Sequence, residues 1–92
     1  MAVSKVTQAV LKSNIAYFEV PAGPELQVGE TVTVANCTSS TFNAALTVLA
    51  NGLFQVAGAN PSQPDLWSGF SATLVHADIP REVEPATATA TI

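Results

Sequence analysis

Two lone residues and one acidic cluster are of types that do chemistry: His76, Cys37, and the carboxylates Asp78, Glu82 and Glu84 around Arg81. A Ser-His-Asp or Cys-His relay needs a nucleophile held against an imidazole, and the base oriented in turn by a third group. The chain has no Gly-x-Ser-x-Gly elbow, so His76 reads as a strand-end histidine satisfied by solvent or backbone. Cys37 has no second cysteine to bridge to and no basic neighbour in sequence to make it a thiolate. It reads as a small, partly buried residue in or beside a strand. The acidic group suggests a cation site or an acid/base pair. Its spacing lacks the oxygen density and the glycine of a calcium loop, leaving a solvated acidic loop paired loosely with Arg81. Gly23 and Gly29 do not form a phosphate-cradling loop. These residues predict no catalytic centre, no metal and no cofactor. Trp67, Phe70 and Phe54 could line a groove for a sugar or a peptide, or serve as core or subunit interface. Trp67, with Leu66, sits in a proline-bounded stretch, which makes the pair candidate interface anchors.

Composition narrows the classes further. The chain has 92 residues, 48% hydrophobic and only 11% charged, with a net charge of −4. A charged share of about 25% is ordinary, so part of this surface is not meant for bulk water. Lys5, Lys12 and Arg81 are the only strong cations. Three scattered cations do not neutralise a run of phosphates, so neither nucleic acid nor an anionic membrane is an expected partner. No apolar run reaches the ~20 residues of a membrane span. Nothing after Met1 resembles the apolar core of a signal peptide, so synthesis and use without general secretion is expected.

The elements that must position these residues read as β throughout. Val3–Leu11 is expected as a first strand and Ile15–Val20 as a second, with Phe18 and Val20 inward, joined by a turn at Lys12-Ser13-Asn14. Pro21–Glu25 reads as a loop. Gly29 and Glu30 make the entry to a half-buried strand through Val32 and Val34. Asn36–Thr41 is a polar connector anchored by Phe42, with Asn43 hydrogen-bonding back to its backbone. The apolar runs Ala45–Leu49 and Leu53–Val56 flank Asn51-Gly52, a pair suited to a type I′ hairpin turn. That hairpin is expected as the centre of the domain, with Val48, Phe54 and Val56 packed on Val32 and Val34. Residues 58–69 read as the longest loop, with a possible helical turn from Ser62. Phe70–His76 is expected as a sixth strand, and Ala77–Pro85 as irregular. Ala86–Ile92 alternates strictly between alanine or isoleucine and threonine. The expected fold is all-β: a small antiparallel β-barrel or β-sandwich of about six or seven strands. It would comprise one domain, 1–85, and a C-terminal strand-forming arm, 86–92, with Thr87, Thr89, Thr91 and Ile92 as further candidate interface residues.

The stretch Leu26-Gln-Val-Gly-Glu-Thr-Val-Thr-Val34, followed by Thr41-Phe-Asn43, Thr47-Val48 and Phe54-Gln-Val56, resembles a recurrent small β-domain of tailed-bacteriophage virion proteins. Members carry a Val-Gly-Asp/Glu-x-Val-x-Val strand, a Phe/Tyr-Asn-Gly turn and a Phe-x-Val strand. The resemblance spans about Val6 to Val56 and weakens after Gly58. Ala44 and Asn36 stand where that pattern has glycines. The resemblance implies a non-enzymatic virion structural protein, above all a capsid decoration or cement protein on the outer head surface, synthesised in the host cytoplasm. Its partners would be the major capsid protein and copies of itself, as a homo-oligomer for which a trimer would suit a three-fold site. A tail, neck or fibre component is the alternative within the virion. A carbohydrate- or peptide-binding module is the alternative outside it.

Overall fold

Alternating side-chain character becomes alternating burial along the regular strands. In Ile15–Glu19, Ala16 and Phe18 are buried, and in Thr31–Ala35 so are Val32 and Val34. The computed structural model of the chain describes residues 3–21, 26–56 and 65–92. Among these lie eight strands: β1 (Val3–Lys5), β2 (Gln8–Lys12), β3 (Ile15–Glu19), β4 (Thr31–Ala35), β5 (Ala45–Val56), β6 (Asp65–Thr73), β7 (Ile79–Val83) and β8 (Thr89–Thr91). They form one antiparallel sheet in the order β1-β8-β4-β5-β6-β3-β2-β7. The end strands β1 and β7 do not pair, so the sheet is not closed and the barrel alternative is corrected. The expected six or seven strands become eight, partly because Ala77–Pro85, read as irregular, contains β7.

The sheet curls over one core. Val32 and Val34 of β4 and Ala88 and Ala90 of the C-terminal segment share it with Ala9 and Leu11 of β2 and Phe18 of β3. Phe18 stacks on Phe70 at 4.9 Å and meets Phe42 edge-on at 5.4 Å. β1, β8, β4 and the start of β5 make one half of the sheet, and the rest of β5 with β6, β3, β2 and β7 the other. The chain passes between them at Val6-Thr7 and within β5, as well as between β3 and β4 and between β7 and β8. The expected strand Val3–Leu11 breaks at Val6-Thr7, where the Val6 N–H donates to Ala88 and the Thr7 N–H to Glu19. The longer crossing is β5, which pairs with β4 through Ala45–Thr47 and with β6 from Val48 to Val56. A bulge between Val48 and Ala50 redirects it.

The central expectation is overturned here. Asn51-Gly52 is not a hairpin turn, because β5 runs straight through it: Asn51 lies opposite Phe70 and Gly52 opposite Gly69. Only Gly52 takes a positive φ, +129°, whereas a type I′ turn requires one at both central residues. That signature falls instead at Ser13-Asn14, with φ of 53° and 62° between the paired Lys12 and Ile15. Asn14 also accepts from the His76 N–H through its side chain. The entry to β4 is a turn as expected. Gly29, at φ +92°, follows Val28, and the Glu30 N–H donates to Gln27.

Residues 89–91 do form a strand, but β8 lies between β1 and β4 and is paired on both sides by its own chain. Ala88 and Ala90 fill the core while Thr89 and Thr91 are half-buried. Alanine's small side chain fits this closely packed core. No hydrogen-bonding edge of β8 is left for a neighbour.

Candidate functional site

Gly52 and Gly69 lie directly opposite each other in the β5–β6 ladder. At this pair β6 reaches the end of its ladder with β3. A Cβ on Gly69 would stand 1.8 Å from the Phe18 carbonyl oxygen, so only glycine fits there. Beyond the pair, Leu53–Val56 and Asp65–Ser68 continue as a two-stranded ribbon, since β3 pairs with β6 only over Gly69–Thr73. The ribbon packs back on the outer face of the sheet. Trp67 and Val56 form a second buried cluster with Val10 of β2, flanked by Tyr17 and Phe54. The Tyr17 and Phe54 rings meet edge-on at 5.5 Å. The Arg81 guanidinium reaches over from β7 to lie 5.1 Å from the centre of the Trp67 ring, a cation–π contact. A cleft of about 210 Å³ remains between ribbon and sheet, lined by Val10, Ile15, Tyr17 and Val56 with Lys12 at its side.

This geometry relocates the expected anchors. Trp67 is in a strand rather than a loop, and it is 2% exposed, held inside its own chain. Its indole Nε1 has no hydrogen-bond partner among the described residues. Phe70 is fully buried in the main core, on the other face of β6. Trp67 and Phe70 therefore make no shared stacking platform for a sugar or peptide. Phe54 and Val56 belong to the outer cluster rather than packing on Val32 and Val34, while Val48 does pack there. Leu66 is exposed, at 64%, with Leu53 at 73%. Leu53 faces Ser68 and Leu66 faces Gln55, so the two leucines are diagonal neighbours on the ribbon's outward face. Of the C-terminal candidates, Thr87 is exposed, and Thr89, Thr91 and Ile92 are half-buried. They lie with β8, on a different part of the molecule from the ribbon. The possible helical turn from Ser62, and most of the expected 58–69 loop, lie outside the described residues.

The charged residues are distributed unevenly. From Thr31 to Pro64 the sequence contains no Asp, Glu, Lys or Arg. The open side of the ribbon falls in that stretch. Beyond Val48, whose N–H donates to Glu30, β5 pairs only with β6 among the described residues.

The chemistry-bearing residues do not converge on a reactive centre. His76 is exposed, with Nδ1 3.0 Å from the Ala77 carbonyl. No cluster of three metal-ligating side chains occurs among the described residues. The acidic segment holds a surprise: Glu84 is buried, not a member of a solvated loop. Its Oε2 accepts from the Thr38 N–H at 2.6 Å, and Glu82 Oε1 accepts from the Ser39 N–H at 3.1 Å. Together they hold the connector that Asn43 also closes, accepting from the Cys37 N–H at 2.8 Å and donating to its carbonyl. Burial raises the Glu84 carboxyl above the ordinary carboxylate range, and neighbouring Glu82 adds to the effect. Burial, then the Glu84 charge, pushes the Cys37 thiol up to about 12, so it stays protonated and unreactive. A solitary Glu-x-Glu pair in sequence does not distinguish a carboxylate that caps a distant turn from one in solvent.

No family model, curated protein or solved structure matches this chain.

Proposed function

We propose that this chain is a non-enzymatic structural protein of a tailed-bacteriophage virion, a decoration or cement protein of the outer head surface. The observation that carries the proposal is the uncharged stretch from Thr31 to Pro64, which supplies the β5 strand of the ribbon, together with Leu53 and Leu66, which the ribbon presents outward. Exposed aliphatic side chains contribute about 25 cal/mol for each Å² of apolar surface they lose to a partner. Each such site is weak, and many symmetric copies across a shell sum weak sites into a stable one. The Leu26–Val34 and Phe54–Val56 motifs support the virion assignment by resemblance. The finer architecture that fits is a sandwich-like curl in which β5 serves both halves. The partners would be the major capsid protein and further copies of the chain.

The test is to add the purified chain to heads of the encoding phage prepared without it, and to image the particles. Many symmetric copies over the head surface, with a higher melting temperature of the shell, are expected. Leu66→Glu should weaken binding while leaving the fold intact, because the side chain is already exposed. A single ring at one vertex would transfer the protein to the tail or neck. No binding at all would end the virion reading.

A further inference from the structure

We infer that two copies of this chain pair through the open edge of β5, antiparallel about a two-fold axis at Leu53, so that one sheet continues into the next. This deepens the proposed reading by naming where copies meet, and rests on it only for the expectation that they do.

The first ground is the contrast among the edges. Unpaired strand edges invite other strands, and proteins guard them with shortness, charge or proline. The edge strand β1 has three residues and carries Lys5, and β7 carries Pro80, Arg81 and Glu82. The side of β5 from Ala50 to Val56 has neither charge nor proline, and no described strand covers it.

The second ground points to a second copy as the occupant. Antiparallel pairing about Leu53 sets Leu53 against its own counterpart, Asn51 against Gln55, Gly52 against Phe54, and Ala50 against Val56. Asn51, Leu53 and Gln55 share one face, because their β6 partners are Phe70, Ser68 and Leu66, every second residue of that strand. The face is thus self-complementary: amide to amide on either side of a leucine pair. On the other face, Phe54, whose ring packs in its own chain's outer cluster, stands opposite a Gly52 that has no side chain to clash with it. A two-fold interface demands this self-matching. The third ground is electrostatic. Two chains that each carry a net charge of −4 approach best through a stretch that carries none.

Sedimentation equilibrium of the full chain, from micromolar to millimolar concentration, tests the inference. The wild type should dimerise. Leu53→Lys and Leu53→Glu should each weaken self-association by roughly tenfold or more, since like charges would face each other across the axis. Mixing the two variants should restore a heterodimer. Circular dichroism and Trp67 emission report that the variants are folded. A monomeric wild type would overturn the inference, as would a dimer indifferent to Leu53, or one that mixing fails to restore. Any of these results combined with normal head binding would leave the decoration reading standing.

Discussion

At the scale of single residues, the surprise is Glu84. A carboxylate caps the Thr38 N–H from inside the protein, and its other oxygen, Oε1, has no partner among the described residues. Its pKa is raised in the folded state, so the folded chain holds that proton more tightly than the unfolded chain does. Stability contributed by this group is therefore full below the unfolded carboxylate pKa, about 4.3. It is lost as pH rises through the folded value. Urea unfolding measured from acid to neutral pH should show this decline, and Glu84→Gln should flatten it, since an amide oxygen can still accept from Thr38. A variant with the wild-type slope would show that Glu84 is not the source. Cys37 adds a second decline with the same sign. Its thiol ionises near 9.0 in the unfolded chain and only at about 12 when folded. Asn43 was legible from sequence because its bonds are local, spanning six residues to Cys37. Glu84 was not, because the turn it caps is 46 residues away.

At the scale of elements, the glycine pair marks the point where the β5–β6 ladder presses on the Phe18 backbone. Alternation at Ala16 and Phe18, at Val32 and Val34, and at Ala88 and Ala90 was readable, because one buried face imposes a period of two. Asn51-Gly52 was misleading for a physical reason. The pair signals tolerance of positive φ, and Gly52 uses that tolerance within a continuous strand rather than at a reversal. The strand placement of Leu66 and Trp67 was hidden too, since the nearby prolines suggest a loop and only tertiary pairing with β5 makes the segment a strand. Gly69→Ala should cost about 1–3 kcal/mol or more, because backbone rather than a flexible side chain blocks the new methyl. Gly52→Ala meets no atom within 4 Å, so its cost is conformational, about 1–2 kcal/mol. Both are read from denaturation midpoints. Gly69→Ala should also shift Trp67 emission to the red by loosening the ribbon. An unshifted spectrum with unchanged stability would refute the close approach of Gly69 to Phe18 as a constraint on the ribbon.

At the scale of the whole molecule, β8 bridges the N-terminal strand and β4. Truncation before Ala86 should therefore unfold the chain rather than yield a folded body lacking an appendage. It would strip β1 of its partner, bare one side of β4 and empty the places of Ala88 and Ala90 in the core. Loss of a cooperative melting transition is the expected result, and a folded, monomeric truncation would contradict it. The same insertion sets an order in time. A ribosome makes Val3–Lys5 before the other strands of the sheet and Thr89–Thr91 after them. Until then β1 has no neighbour and β4 offers an open flank beside β5. Native pairing must wait for the last strand to thread between two early ones, which is the long-range closure that slows folding. Growing chains would be vulnerable in that interval, so the rate of synthesis, and not only the stability of the finished fold, should govern how much protein reaches its native form.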